Sequence, residues 1–460
     1  MGTGTPAHVK IAFIGGGSRL WAPQLMTDLA LSRSIAGEIA LYDIDRGAAG
    51  RNAALGKEIF AHRDARSRFV AAAVDALRDA LDGAQFVVLS IEPGPTRLRY
   101  ADLEIPRSYG ILQTVGDTTG PGGILRSLRA APLFMGFAHE IAAACPRAWV
   151  INYTNPMAVC VAALHEAEPA LKVFGCCHEV YGTQRRLAAL AAAWLDTAVP
   201  PRKEIELQIA GVNHFTFAAS ASWRGRDLMP RLLDLVADPA LFADRTDEAL
   251  QRKREERWFD SDGIIAYDFL RSFGVLGAAG DRHLAEFVPW YLASEEVLHR
   301  WGVILTPYEW RVRRMQESAV FDPGAPLVPS GEEGVEQMEA LLGLGPVRTN
   351  VNVPNHGQMP GLPAGAVVET YATLEEDRLT PLPAPRLPDA IESLVSRASM
   401  IQRMTLTAVR ERKPEPAFAA LLADPLMRGS TDAARLMFDE MLAYVKDYLP
   451  WKGDPRQAVR

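Results

Sequence analysis

Two short segments place side chains that could bind a metal ion directly after apolar, strand-like runs. Cys177 and His178 follow the run 172–176, and His214 follows the run 205–212. A thiolate and an imidazole that two strand ends bring together form a candidate divalent-metal site, with positions left open for substrate oxygens. The alternative is a buried structural cysteine beside a core histidine, which is the usual situation for an arbitrary Cys–His pair.

A glycine-rich turn near the start of the chain could bind the pyrophosphate of a nucleotide cofactor. Gly15, Gly17 and Ser18 come directly after an apolar run and precede a helical pattern, which lets the backbone approach phosphate at a helix N-terminus. Asp43 ends the next apolar run, where a carboxylate binds the ribose 2′-hydroxyl and favours NAD over NADP. Leu20 stands where the usual third glycine would be, and a plain tight turn with Asp43 as a helix cap is the alternative.

The elements that must position these residues alternate along the first part of the chain. Strand-like runs at 8–14, 38–42, 84–91, 148–152 and 172–176 alternate with helical patterns at 21–31, 48–61, 125–144 and 159–166. This alternation predicts an α/β fold whose N-terminal domain is a doubly wound, Rossmann-like parallel sheet. The Pro-rich segment 199–201 divides the chain into residues 1–200 and 201–460, and we expect the second part to be a mixed α+β domain for substrate binding and oligomerisation.

Composition and charge argue against several classes of function. The 460-residue chain is 48% hydrophobic and has a formal net charge of −7, whereas a nucleic-acid-binding protein would be basic. There is no apolar run long enough for a membrane span, and the first ten residues lack the apolar segment of a signal peptide. Four cysteines are too few for a disulfide framework. We therefore expect a cytoplasmic protein that acts on a small molecule and binds neither nucleic acid nor a membrane.

Five motifs, in this order, resemble those of glycoside hydrolase family 4. Residues 13–18 with Pro23 resemble its nucleotide turn, and 116–123 and 152–156 resemble its second and third signatures. Residues 177–180 and 213–214 resemble its metal-site segments, and the likeness continues through 270–274 and 286–290 before it fades after Asn355. Asp117, in the second signature, stands where the family more often has Glu, and we expect it to contact the substrate.

The resemblance implies an NAD- and metal-dependent glycosidase that cleaves by oxidation and elimination, without the usual pair of carboxylates. Hydride transfer from C3 of the sugar to NAD⁺ acidifies the C2 proton; a base removes it, the C1–O bond breaks, water adds and the hydride returns. A divalent metal, usually Mn²⁺, acts as a Lewis acid on the C2 and C3 oxygens. The resemblance assigns this metal to Cys177 and His214, and it implies a homodimer or homotetramer.

The same resemblance suggests roles for further residues. The base is either Asp281 or Tyr267, with Asp281 preferred because it matches an acidic version of the family, while Tyr267 could equally pack in the core. His178 is expected to protonate the leaving group, since a histidine can donate a proton near neutral pH. Its alternative role is to hydrogen-bond to a metal ligand without binding the metal itself. Asn152 and Asn155 are expected to bind the nicotinamide ribose or sugar hydroxyls, with loop capping as the alternative.

The residues around the metal motif favour an unphosphorylated sugar. Phosphosugar members of the family usually carry Asp or Asn after the metal cysteine, whereas the form at 177–180 resembles that of α-galacturonidases. Glu92 stands where phosphosugar members carry arginine, and a carboxylate there would repel phosphate. A uronate needs a cation, and a guanidinium can bind a carboxylate through two hydrogen bonds. The candidates are Arg97, Arg99, Arg282 and His283, although a surface ion pair is the usual role of any single arginine.

Several alternatives stay open on the sequence alone. Within the family, these are an α-glucosidase, an α-galactosidase and an α-glucuronidase. A hydroxyacid dehydrogenase would share the nucleotide-binding domain but would consume NAD stoichiometrically and need no metal cysteine. A non-enzymatic NAD-binding sensor would not need Cys177 and His214 together.

Overall fold

The computed structural model describes residues 5–317 and 320–451, so the outermost residues of both predicted domains, 1–4 and 452–460, lie outside the described part. The β-strands are β1 (Ala7–Ile14), β2 (Ile35–Tyr42), β3 (Phe69–Val74), β4 (Phe86–Leu89), β5 (Trp149–Asn152), β6 (Lys172–Gly175), β7 (Ile205–Val212), β8 (Phe215–Trp223), β9 (Arg226–Asp227), β10 (Leu276–Gly277), β11 (Val347–Pro354), β12 (Val367–Glu375) and β13 (Arg378–Pro381).

The α-helices are α1 (Trp21–Leu31), α2 (Arg46–Phe60), α3 (Leu77–Leu81), α4 (Arg99–Ser108), α5 (Gly120–Ala144), α6 (Met157–Ala167), α7 (Glu179–Leu195), α8 (Met229–Ala237), α9 (Asp247–Glu256), α10 (Ile264–Phe273), α11 (Asp281–Ala285), α12 (Glu295–Arg300), α13 (Tyr308–Gln316), α14 (Gly334–Leu341), α15 (Asp389–Glu411), α16 (Glu415–Ala423) and α17 (Thr431–Tyr444). Within residues 5–317 and 320–451, none of these helices combines the length and the apolar character needed to cross a membrane.

A parallel sheet with strand order β3-β2-β1-β4-β5-β6 forms the N-terminal part of the structure. This is the doubly wound order, and it confirms the predicted Rossmann-like fold. Strands β4 and β5 are buried along their whole length, as expected where helices cover both faces of a parallel sheet. The strand order reverses between β1 and β4, and the carboxyl ends of the strands at such a reversal are where open α/β sheets bind ligands.

The second half of the chain adds strands to this sheet and also forms a separate sheet. Strands β11, β12 and β13 add to β6 in antiparallel fashion, so that the main sheet has nine strands. A separate antiparallel sheet has the order β10-β8-β7, with β9 paired to β8. The mixed α+β character is thus confirmed, while the boundary near residue 200 stays a prediction, because one sheet contains strands from both sides of it.

Candidate active site

The glycine turn lies at the end of β1, at the reversal of strand order. Gly15 has φ +92°, and a Cβ atom added to it would lie 1.9 Å from the carbonyl oxygen of Ser90. Only glycine therefore lets the end of β1 come this close to the end of β4. Ser18 Oγ accepts a hydrogen bond from Trp21 N, the first residue of α1, at 3.2 Å. The turn thus leads directly into a helix N-terminus, as a pyrophosphate site requires.

Asp43 connects this turn to the end of β2. One carboxylate oxygen accepts a hydrogen bond from Gly17 N at 2.9 Å, and the other accepts one from Asp45 N at 2.9 Å. Asn52 on α2 adds support by donating to the carbonyl oxygens of Gly16 and Ser18, each at 2.8 Å. The carboxylate expected to bind a ribose is therefore also the group that holds the glycine turn in shape.

Three residues from separate elements form a cluster with the composition of a metal site. One ligand atom each of Asp117, His214 and His283 lies within 4.8 Å of those of the other two. His214 sits in the β7–β8 turn with φ +67°, and its Nδ1 lies 2.8 Å from Thr118 Oγ1. The sequence predicts His214 as a metal ligand and the other two as substrate contacts. The structure brings all three together.

Electrostatics in the cluster suit a metal ion. Burial, and then the neighbouring His283, lower the pKa of His214 to about 3, which keeps this imidazole neutral, the form that ligates a metal. Burial opposes ionisation of Asp117, but neighbouring positive charge, that of His283 first, holds the pKa of this carboxyl well below its usual value. In the described structure, Nδ1 of His283 is buried and has no hydrogen-bond partner. The cluster therefore offers a carboxylate and two imidazoles to a ligand.

Cys177 lies close by, but the structure does not bring its sulfur into this cluster, as judged over the described residues. The thiol is buried, and burial together with Glu369 and Glu179 raises its pKa well above the usual value. A thiol in such surroundings stays protonated unless a cation is present, and a coordinating metal ion deprotonates it outright. Its assignment as a metal ligand stays a prediction.

His178 and Glu179 begin α7 directly after Cys177. The His178 side chain is 42% exposed, stacks on Trp21 with ring centroids 5.5 Å apart, and lies between Glu179 and Glu332. Glu179 Oε2 accepts a hydrogen bond from Gly280 N at 2.6 Å. Burial would raise the pKa of Glu179, but the adjacent histidines, His283 first, lower it to about 2. An ionised Glu179 thus lies beside the cluster, and the motif at 177–180 already contained this residue.

The two residues predicted as alternatives for the base occupy different environments. Asp281 is fully buried, and its carboxylate accepts hydrogen bonds from the backbone N–H groups of Gly263, Ile264 and Ala266 at 2.8–3.1 Å. It therefore caps the start of α10, although burial raises its pKa. Tyr267 lies one turn further along α10; burial raises its pKa, and the charge of Arg186 opposes this. The assignment of the base to Asp281 or Tyr267 stays a prediction.

The two asparagines of the segment 152–156 differ in what they contact. The buried Asn152 amide donates to the carbonyl oxygen of Thr154 at 3.0 Å and accepts from Thr154 N at 2.9 Å, which is the loop-capping alternative. Asn155 Nδ2 instead donates to Asp117 Oδ2 at 3.2 Å, while its buried Oδ1 has no partner among the residues described. Asn155 therefore lies at the cluster, whereas Asn152 shapes the loop that carries it.

Two arginines neutralise the negative charge of Glu92. Arg126 binds it through both guanidinium Nη atoms, and Arg99 Nη1 lies 3.8 Å from Glu92 Oε2. Burial opposes ionisation, yet Arg126 and Arg99 lower the pKa of this carboxyl. Its charge is therefore balanced locally, which weakens the expectation that Glu92 repels a phosphate.

The predicted uronate-binding cations are also distinguished by their surroundings. Arg97 is exposed at the surface, whereas Arg99 is buried and donates to the carbonyl oxygen of Val115 at 3.1 Å. The guanidinium of Arg282 donates to the backbone carbonyls of Trp258 and Ile304, each at 2.8 Å. Arg282 therefore holds loops together. His283 belongs to the cluster with Asp117.

Sequence reasoning missed two residues that order the loop before Asp117. Glu286 Oε1 accepts hydrogen bonds from Val115 N at 2.7 Å and Gly116 N at 2.9 Å. Arg311, on α13, donates to the carbonyl oxygen of Thr114 at 2.6 Å. Glu286 lies in a segment that carried the family resemblance, but no local pattern distinguishes Arg311 from other arginines.

Comparison with known proteins decides the family. Residues 10–193 match the model of the family 4 glycosyl hydrolases, and residues 209–427 match that of the family 4 glycosyl hydrolase C-terminal domain. The chain belongs to glycosyl hydrolase family 4. As a family 4 protein it is a glycoside hydrolase, and the comparisons lend no better support to the hydroxyacid dehydrogenase that the nucleotide-binding domain alone left open.

Relatives cover nearly the whole of this family 4 chain. An α-galacturonidase from Thermoanaerobacterium saccharolyticum is 43% identical over 96% of this chain and 97% of its own length. The crystal structure of LplD from Bacillus subtilis is 39% identical, with a TM-score of 0.86 over 95% of this chain and 100% of its own. A 6-phospho-α-glucosidase in complex with NAD and Mn²⁺ is 19% identical, with a TM-score of 0.76 over 97% and 99% of the two chains, which shows that the fold is shared.

Proposed function

We propose that this family 4 glycosidase hydrolyses α-galacturonides, with NAD and a divalent metal, most simply Mn²⁺, as cofactors. The observation that carries the substrate is the identity of 43% and 40%, over nearly the full chain, to α-galacturonidases from T. saccharolyticum and B. subtilis. Buried arginines around Asp117 support it, because a site lined with cations suits an anionic sugar. The α-galactosidase and α-glucosidase relatives are 27–29% identical, and no feature of the site among the described residues favours a neutral sugar.

The side chains around Asp117 fit a divalent metal. Asp117, His214 and His283 would hold the ion, with the thiol of Cys177 as a further ligand. The buried Nδ1 of His283 has no hydrogen-bond partner among the described residues, which fits a role as a metal ligand. A bound ion would supply Lewis-acid chemistry to the hydroxyl oxygens of the sugar. Asn155 holds Asp117 from one side, and Thr118 orients the His214 ring from the other. These contacts would fix the ligands before the ion binds.

The turn at 15–18 fits a dinucleotide. A Cβ atom on Gly16 or Gly17 would lie 2.7 Å from the nearest side-chain atom, so only glycine fits at these two positions. Without side chains, their backbone stays accessible to a phosphate. NAD would supply the hydride acceptor at this end of the sheet. Asp43 would bind the ribose while it keeps its hydrogen bonds from Gly17 N in the turn and from Asp45 N.

Proton transfer is assigned to two side chains. His178, which is partly exposed and lies between Glu179 and Glu332, would protonate the leaving oxygen. Tyr267 would accept the C2 proton, and Asp281 would position it by capping the helix that carries it. All four cysteines are free and buried, which supports the proposal that the protein works in the reducing cytoplasm. We also propose a homodimer or homotetramer.

A panel of aryl α-glycosides tests the substrate. The purified protein is incubated with NAD⁺, Mn²⁺ and a thiol reductant, and kcat/KM is measured for the α-galacturonide, α-glucuronide, α-galactoside, α-glucoside and a 6-phosphoglycoside. We expect the galacturonide to be cleaved best, by more than tenfold. A neutral or phosphorylated glycoside as the best substrate would contradict the proposal.

A further inference from the structure

Three buried arginines from different helices converge on the loop that leads to Asp117. Arg99 on α4, Arg282 on α11 and Arg311 on α13 are 7%, 4% and 8% exposed. Arg282 and Arg311 both donate to the carbonyl oxygen of Thr114, and Arg99 donates to the carbonyl oxygen of the next residue, Val115. Three guanidinium groups therefore meet within two residues of backbone, immediately before the candidate metal ligand.

The three cations have few carboxylates in direct contact, although the charges of Asp117 and Glu286 act on Arg282 and Arg311 from a greater distance. Over residues 5–317 and 320–451, neither Arg282 nor Arg311 forms an ion pair with a carboxylate within 4.0 Å. Arg99 lies 3.8 Å from Glu92, but Arg126 already binds that carboxylate through two hydrogen bonds. A buried cation without a counter-ion is costly unless something else supplies the charge.

The pKa of Arg311 reflects these surroundings. Burial, and then the charges of Arg99 and Arg282, lower it well below its usual value, and the charges of Asp117 and Glu286 only partly oppose this. The Nε atoms of Arg282 and Arg311 are both buried without a hydrogen-bond partner among the described residues. These unused donors can serve an anion from outside the chain.

Arg311 is the member of this group that the fold needs least. Arg282 is engaged by the carbonyl oxygens of Trp258, Ile304 and Thr114 and by the Thr306 hydroxyl. The Arg311 side chain makes one hydrogen bond within the described structure, to the Thr114 carbonyl oxygen that also accepts from Arg282. Its guanidinium therefore has donors to spare in a place where holding the loop does not require them.

We propose that Arg311, with Arg99 beside it, binds the carboxylate of the uronate substrate and thereby sets the specificity of the enzyme. The inference rests on the proposed function and names a residue that it did not assign. A guanidinium presents two parallel N–H donors to a planar carboxylate, and the substrate would supply the missing negative charge. A sugar with a neutral hydroxymethyl group would leave the arginines unpaired, so it should be bound poorly.

The test compares Arg311→Gln and Arg311→Lys with Arg313→Gln, which removes an exposed arginine two residues further along the same helix. For each protein, kcat/KM is measured with 4-nitrophenyl α-D-galacturonide and α-D-galactoside, and inhibition is measured with D-galacturonate and D-galactose. We expect Arg311→Gln to lower the galacturonide-to-galactoside ratio by about 30-fold or more, and to weaken inhibition by galacturonate similarly. Arg311→Lys should retain part of both, and Arg313→Gln should match the wild type.

Folding of the variant is part of the test. Arg311→Gln removes a buried charge that no carboxylate of the described residues contacts within 4.0 Å, and Arg282 still donates to the Thr114 carbonyl oxygen, so Tm should not fall. A folded Arg311→Gln protein with an unchanged substrate ratio would overturn the inference. A Gln variant that fails to fold would also overturn it, because the residue would then be structural. If the wild type itself prefers the galactoside, the proposed function has failed instead.

Discussion

Asp424 allows a pH prediction whose size follows from its surroundings. Its carboxylate is buried and accepts hydrogen bonds from Gly120 N at 3.0 Å and from Leu426 N at 2.9 Å. Gly120 is the first residue of α5 and lies three positions after the candidate metal ligand Asp117. Burial outweighs these hydrogen bonds and raises the pKa of Asp424 from 3.8 to about 7.

The sign follows from linkage between protonation and folding. Because the folded-state pKa is above the unfolded value, the folded protein holds this proton more tightly, and the associated stability is lost as pH rises through 7. Between pH 5 and pH 8 this carboxyl alone lowers the free energy of unfolding by about 3 kcal/mol. With an unfolding entropy of ~2.1 cal/mol/K per residue over a chain of this length, the change corresponds to about 3 °C in Tm.

Calorimetric Tm values of the wild type, Asp424→Asn and the exposed control Asp432→Asn at pH 5, 6, 7 and 8 test this reasoning. Asparagine keeps only one acceptor oxygen for two N–H groups, so a constant, pH-independent loss is expected for Asp424→Asn. In addition, the difference in Tm between Asp424→Asn and the wild type should shift by about 3 °C in favour of the variant between pH 5 and pH 8. Parallel pH profiles for the two proteins would refute the account of Asp424, and the control should be parallel to the wild type throughout.

Three further predictions concern the candidate site. Asp43→Ala should weaken NAD⁺ binding by about tenfold or more in a fluorescence titration and reduce discrimination against NADP⁺, because the turn and the ribose lose a charged acceptor; unchanged affinities would show that Asp43 serves only the backbone. Cys177→Ser should abolish activity and weaken Mn²⁺ binding, measured by electron paramagnetic resonance, by ~10–100-fold, whereas Cys160→Ser inside α6 should change neither; equal effects would contradict the metal assignment. Tyr267→Phe should lower turnover and deuterium exchange at C2 with little change in Tm, whereas Asp281→Asn should lower Tm by removing the cap of α10, and the reverse result would restore Asp281 as the base.

Much of the fold could be predicted because strands of a parallel sheet are continuous apolar runs. The runs at 8–14, 148–152 and 172–176 correspond closely to β1, β5 and β6. Strand β3 was missed because it lies half exposed at the edge of the sheet. Helix α5 begins at Gly120 rather than at the predicted residue 125, because the glycines and the proline in its first turn are typical of a loop.

Helix α7 was also missed, and the reason is physical. It starts immediately after the metal motif, and His178 at its N-cap makes no side-chain capping hydrogen bond, so the sequence contains no start signal. The strands that extend the main sheet could not be assigned to it either. Strand β11 lies 172 positions after β6 by residue number, counted from Gly175 to Val347, and pairing across such a separation leaves no local pattern.

The parts of the site that are close together in sequence could be predicted, whereas the parts that distant segments form could not. The glycine turn and Asp43 lie on consecutive strand ends, so their spacing alone indicated a shared site. The cluster of Asp117, His214 and His283 and the group formed by Arg99, Arg282 and Arg311 arise only when distant segments fold together. Sequence could assign Arg282 to the substrate, but only the structure shows that its donors are used by backbone carbonyls.

The balance of NAD during the reaction tests the central claim most directly. The protein, stripped of cofactor and then given Mn²⁺ and a limiting amount of NAD⁺, is incubated with excess 4-nitrophenyl α-D-galacturonide while nitrophenol and NADH are followed in the same sample. If NAD⁺ is regenerated within each cycle, as the resemblance to family 4 implies, there should be many nitrophenol molecules per NAD⁺, no net NADH, and no reaction when either NAD⁺ or Mn²⁺ is omitted. Release of nitrophenol without added NAD⁺, or NADH accumulating in equal amount with product, would contradict the account.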